Sequence, residues 1–476
     1  MNIQQAIEQI IKTVSAYTEK RDGMAAIPIE SQRPIYLYGP PGVGKTAIVY
    51  QAAQRLGVGI VSYTMTHHTR QSAIGLPELS KRTFAGREYT VTEYTMSEII
   101  AGVYRHMERT GQDRGILFLD EINCVSETLL PAMLELLQRK RFGEYRVPDG
   151  WVIVCAGNPE RYNRSAREFD PVTMDRLRLI SIDPDAEAWQ DYAAARDVDV
   201  RVRSYLHLRP DDLCRAEDMR IVTPRSWTDL SDMMRASGEC DELLIRQYLQ
   251  VSDIADDFII YAAMCDRVGG KFLLDRALND ADVRGDVRFD DIRQALFAAM
   301  LLADAMCSRA RVQAERINAR RAALYFAEGV AQDGKPNLRK CAEEHLERRI
   351  NALNVRLSMG ALDRTDEARE RAAIAAIREL MKRDPEEMVR AAREGLNDAQ
   401  AADEQCALQL TNAFSFADCA FSNLHVKCVF LAELERCPDA VSILRRSAGD
   451  MYAKMKRETD PDARMRDLKA KIRTDE

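Results

Sequence analysis

No apolar run in this chain approaches the ~20 residues of a membrane-spanning helix. The N-terminus also lacks the basic start and unbroken apolar core of a secretory signal. Ile3, Ile7, Ile10 and Val14 recur there on one helical face with Glu and Gln between them. Both absences point to a cytoplasmic protein without a membrane span. Histidines number only six, and the eleven cysteines include no C-x-x-C pair. The spacing of a zinc site is therefore missing, and the thiols are expected to be reduced and mostly buried. Basic excess is missing too, because 68 Lys and Arg stand against 75 Asp and Glu for a formal charge of −7. That balance gives no global reason to hold a nucleic acid, while leaving room for a local basic patch.

What is there is a soluble composition, 46% apolar and 30% charged, over 476 residues, enough for two or three domains. Gly39-Pro40-Pro41-Gly42-Val43-Gly44-Lys45-Thr46 satisfies G-x-x-x-x-G-K-[ST]. It lies between the apolar run Ile35–Tyr38 and a helical stretch beginning at Thr46, the context a phosphate cradle demands. Glycines there let main-chain N–H groups approach phosphates. Lys45 would reach the β- and γ-phosphates, and the Thr46 hydroxyl would ligate Mg²⁺. Such a loop reads phosphates and not bases, so ATP and GTP are not told apart.

Downstream, Gly59–Thr64 is rich in strand formers and follows a helix, which starts a parallel sheet. Residues 66–96 are irregular; a β-hairpin with aromatic tips and a mobile loop both fit them. Ile116-Leu117-Phe118-Leu119 followed by Asp120-Glu121 describes a buried central strand with carboxylates at its C-terminal edge, where open α/β sheets bind ligands. Asp120 suits Mg²⁺, and Glu121 suits polarising an attacking water. Leu129, Leu130, Met133, Leu134, Leu136 and Leu137 recur at helical spacing and should pack on the sheet. Trp151–Ala156 reads as a further buried strand. Asn158 follows it; beside a nucleotide its amide is placed to hold the water, and read alone it would begin a turn before Pro159.

The order of these motifs resembles the AAA+ ATPases, and more narrowly the MoxR family. The resemblance is carried by Gly-Pro-Pro-Gly-Val-Gly-Lys-Thr at 39–46, Ile-Gly-Leu-Pro at 74–77, Leu-Asp-Glu-Ile-Asn at 119–123, Gly-Asn-Pro at 157–159, Met-Asp-Arg-Leu at 174–177 and Thr-Pro-Arg-Ser-Trp at 223–227. It implies a P-loop NTPase αβα sandwich with a parallel sheet over 1–182, a helical lid over 183–238 and an all-α region over 239–476. It also implies ATP with Mg²⁺, and hydrolysis by a homo-oligomeric, hexameric ring. The expected role is chaperone-like remodelling of a protein client, often one with a von Willebrand factor A domain.

By the same resemblance Asn158 takes the sensor 1 position. Arg176 takes that of an arginine finger reaching a neighbouring subunit's nucleotide, with Leu177 where a phenylalanine is usual and Arg178 two residues on. Arg225 falls in the first turn of a helix capped by Thr223 and opened by Pro224. It takes the sensor 2 position, contacting the γ-phosphate within the same subunit. Two other classes share parts of this layout: a nucleic-acid motor or modification-dependent restriction subunit, and a scaffold that binds nucleotide with little hydrolysis. Beyond Glu239 the pattern is helical. Ile374, Ile377 and Leu380 share a face, Asp384-Pro385-Glu386-Glu387 reads as a helix start, and Gly334-Lys335-Pro336 and Gly360 read as turns.

Overall fold

The computed structural model describes residues 1–21, 24–67, 70–218, 220–268, 270–279, 289, 291–332, 338–358 and 364–461. The chain divides into two compact units, Met1–Trp189 with Leu213–Trp227, and Gln190–Asp212 with Thr228–Glu476. The expected turns at 334–336 and 360, and the tail beyond 461, lie outside the described residues.

The first unit is built on five parallel strands: β1 (Ile35–Tyr38), β2 (Gly59–Thr64), β3 (Gly115–Asp120), β4 (Trp151–Gly157) and β5 (Arg178–Ser181). Their order across the sheet is β5-β1-β4-β3-β2. Side chains alternate between the faces, so the runs divide cleanly. Ile35, Leu37, Ile116, Phe118, Val152 and Val154 pack with α1 (Ile3–Thr18) and α2 (Lys45–Leu56) on one side. Tyr36, Leu117, Leu119, Trp151, Ile153 and Cys155 pack with α3 (Glu98–Thr110) and α4 (Leu130–Arg139) on the other. Burial on both faces explains why these strands read as continuous apolar runs. The result is the expected αβα sandwich. In α1, Ile7, Ile10 and Val14 are buried, and Asn2 with Gln5 closes a capping box.

Residues 77–94 resolve the open choice in favour of a hairpin. Strands Pro77–Phe84 and Arg87–Tyr94 pair antiparallel, and Leu79, Phe84, Tyr89 and Tyr94 remain exposed on them.

The second unit contains helices and no strand among the described residues, as the expected all-α C-terminal region requires. Its longest helices are Ile292–Gln332 and Met388–Ala420. Ile374, Ile377 and Leu380 are buried along Arg364–Leu380 as their spacing predicts. One helix start is corrected. Asp384 opens a single 3₁₀ turn, Pro385–Glu387, and the α-helix begins only at Met388 with Glu387 as its cap residue. The Glu387 side chain turns outward to Arg390 at 2.6 Å instead of back onto the helix end. No described helix is long and apolar enough to cross a membrane.

Candidate nucleotide-binding site

At the carboxyl end of β1 the chain turns through Gly39–Gly44 into α2. Two left-handed residues make the turn, Gly42 at φ 76° and Gly44 at φ 89°. A Cβ on Gly42 would stand 2.8 Å from Thr223 Oγ1, so a side chain there would be both strained and obstructed. The first N–H groups of α2 have no partner within the helix and are left to face an anion.

Lys45 opens α2 and is only 7% exposed. Its Nζ donates to Gly39 O and Pro40 O, each at 2.8 Å, and to Asn158 Oδ1 at 2.7 Å. All three ammonium protons are thus spent on neutral acceptors. Burial pulls the lysine down to about 8; Asp120 pulls it back up, and Arg225 pushes with the burial. An anion entering the loop would supply the counter-charge that burial leaves wanting.

Thr46 Oγ1 donates to Asp120 Oδ2 at 3.0 Å. A hydroxyl and a carboxylate oxygen converging beside the cradle are hard oxygen donors, the set that suits Mg²⁺. The other Asp120 oxygen accepts the Glu121 N–H at 2.9 Å. Glu121 is left-handed, φ 55°, at the point where β3 turns into a 3₁₀ helix, Ile122–Cys124. Its Oε2 accepts from Thr66 Oγ1 at 3.0 Å. Asn158 is held from below. Buried Asn123 donates through Nδ2 to the Asn158 carbonyl at 2.8 Å and to Arg167 O at 3.3 Å.

Lys45 and Thr46 therefore meet Asp120, Glu121 and Asn158 at one sheet edge, with Gly39, Pro40, Pro41 and Val43 forming the rest of the loop. The helix Pro224–Ser237 starts in the same unit, which it shares through Trp227. Ser226 N bonds Thr223 Oγ1 at 3.2 Å, the cap the sequence predicts. Arg225 Cβ lies 3.3 Å from where a Gly42 Cβ would be, which roots its exposed side chain at the loop.

Arg176 is elsewhere. It ends a short helix, Pro171–Asp175, and is exposed. Arg178 is in register with Ile35, so Arg176 precedes the amino end of the sheet while the phosphate loop follows the carboxyl end. The strand between them is roughly 15 Å long. Arg178 itself is committed to α1, donating to Gln9 Oε1 at 2.7 Å and to Thr13 Oγ1.

Thr66 and Asn123 join the site without a role read from the sequence, and Thr223 adds its hydroxyl beside Gly42. Asn123 carries a signal, since it closes the 119–123 motif; Thr66 has none beyond its place after a strand.

The AAA domain family model matches residues 29–164, so this stretch is similar to an AAA domain. The match takes in the loop, the acid pair and Asn158, and ends before Arg176 and Arg225. A solved structure of a candidate ATPase from Cytophaga hutchinsonii covers 49% of this chain and 79% of its own at 14% identity, with a TM-score of 0.24. A score that low does not establish a shared fold. No curated protein matches the chain.

Proposed function

We propose that the protein is an ATP hydrolase that works as a ring of identical subunits, in the manner of the MoxR family, to remodel a protein partner. The observation that carries the hydrolase is the convergence of Lys45 on Asn158 and of Thr46 on Asp120, by hydrogen bonds at one sheet edge. Lys45 and the α2 N-terminus bind the phosphates. Thr46 and Asp120 would hold Mg²⁺, which when bound neutralises charge on the β- and γ-phosphate oxygens. Glu121 takes the proton from the attacking water, and Asn158 orients that water. Arg225 contacts the γ-phosphate from the same chain.

Arg176 serves a neighbouring chain. What supports this is its position at the sheet's opposite end from its own loop, together with its exposure. A guanidinium keeps its charge and meets phosphate oxygens with a planar fork. Remodelling of a partner, such as one with a von Willebrand factor A domain, is supported by the motif order and by the exposed apolar side chains of the hairpin 77–94.

Phosphate release from ATP, measured at rising chain concentration, tests the reading. Turnover per chain should climb as the oligomer forms. A chain that retains no nucleotide, or a monomer that hydrolyses at full speed, overturns it. Purification of the untagged complex should bring down the partner.

A further inference from the structure

A second concave site lies at the amino end of the sheet in the first unit, with a volume of about 720 Å³. Six cations line it: Arg33, Arg139, Lys140, Arg141, Arg146 and Arg176. Three acids face them, Glu30, Asp149 and Asp175. The acids neutralise little. Arg33 meets Asp175 only at 3.9 Å, Arg141 meets Glu135 at 3.8 Å, and Arg139, Arg146 and Arg176 form no ion pair among the described residues.

Lys140 is the informative member. It is 6% exposed and left-handed, φ 50°, at the end of α4. Its Nζ donates to Gln32 Oε1 at 2.5 Å and to Trp151 O at 3.1 Å, both neutral. No carboxylate lies within ion-pair distance among the described residues. Buried cations are ordinarily paired, so this one lacks the charge that its surroundings would favour. Burial holds it at about 8, with Asp149 opposing from a distance. A cavity lined by a lysine without a carboxylate partner and by several guanidiniums suits a ligand with several anionic oxygens, which planar forks can meet in pairs.

We propose that this pocket binds a polyphosphate chain, supplied either by the triphosphate of a neighbouring copy or by a free nucleotide. The first source rests on the ring reading above; the second does not. In either case Arg33, Arg139 and Arg146 act beside Arg176 as anion-binding residues.

The probe is inorganic tripolyphosphate, titrated by calorimetry into the full-length Lys45→Ala chain, whose first cradle has lost its cation. Arg139→Ala with Arg146→Ala is the pocket variant, chosen because both side chains are exposed and their loss leaves the core intact. If the source is free, the dilute Lys45→Ala chain takes up one tripolyphosphate, and adding the pocket substitutions weakens it at least tenfold. If the source is a neighbour, the pocket substitutions alone weaken ATP-dependent assembly at least tenfold by sedimentation while ATP binding by single chains is unchanged. The absence of both uptake and loss of assembly overturns the pocket and leaves the hydrolase standing. A wild-type chain that fails to bind ATP overturns the hydrolase and is read separately.

Discussion

Thr66 Oγ1 donates to Glu121 Oε2 across 3.0 Å, tying the end of β2 to the carboxylate at the end of β3. Glu121 already occupies a left-handed turn that aims it out of the strand. The hydroxyl then fixes one carboxylate oxygen and leaves the other for water. Thr66→Val should slow ATP turnover about tenfold, the rate equivalent of ~1.4 kcal/mol of lost positioning. Thr66→Ser should recover it. Steady-state phosphate release with unchanged ATP affinity is the measurement, and an unaltered rate in Thr66→Val would remove the positioning role.

Glu121→Gln keeps the shape of the side chain and its turn but removes the carboxylate proposed as the base. Turnover should fall by roughly 10²- to 10⁴-fold, the usual span for such a group. ATP binding should persist, because Lys45, Thr46 and Asp120 are untouched. Single-turnover hydrolysis beside an equilibrium binding titration separates the two.

Arg176 and Arg178 can be told apart by what each loses. Arg176→Ala should cut turnover about 10³-fold or more, as for a finger supplied by a neighbour. Mixed with Glu121→Gln subunits, it should regain part of its rate, since intact arginine and intact base then meet at some junctions. Arg178→Ala breaks hydrogen bonds to Gln9 and Thr13 and should cost about 1 kcal/mol of stability. Thermal unfolding reads that loss, and the rate per folded chain should hold.

The central strands β1, β3 and β4 are legible in the sequence because they are buried on both faces, and runs such as Ile116–Leu119 need no alternation to be recognised; β5, partly exposed at the sheet edge, carries no such run. The cradle and acid pair are legible because their residues are contiguous. The Thr66–Glu121 contact is not, since its partners lie 55 positions apart and neither has a local signature. The hairpin 77–94 is legible only as one of two readings, because its strands are largely solvated on both faces and so carry no apolar period. Lys140 sits between Arg139 and Arg141, a charged run that reads as solvated face. Only the left-handed end of α4 turns the middle residue inward.

The depressed Lys45 gives the site a pH dependence with a definite sign. Its folded value, about 8 without nucleotide, lies below the ordinary lysine value. Between the two the unfolded chain binds more protons, so this group's contribution to stability rises with pH there. Binding runs the other way. Phosphate favours the charged lysine, so ATP affinity should be flat up to about pH 8 and then fall by up to about tenfold per unit. Proton uptake should accompany binding near pH ~8 to ~9. Calorimetry in buffers of different ionisation enthalpy detects it, and an affinity that stays constant from about pH 7 to about pH 9.5 would refute the dependence.

In the second unit, Arg203 and Glu433 form an ion pair that is almost wholly buried. Asp304 also reaches Arg203, at 3.2 Å, and Arg436 joins Glu433 while bonding Asp191 at 2.6 Å. Burial lowers the arginine's affinity for its proton, with Asp304 opposing. Removing one member leaves the other charge in a poorly polarisable surrounding, which costs more than the intact pair contributes. Glu433→Gln should therefore destabilise the unit by about 3 kcal/mol, toward the lower end for a broken buried pair because Asp304 remains. Replacing both residues together, Arg203→Met with Glu433→Leu, should recover much of that loss. Denaturant unfolding of the wild type, Glu433→Gln and the Arg203→Met with Glu433→Leu double variant decides it, and a double variant no more stable than Glu433→Gln would show that the pair holds the helices by shape and not by charge balance.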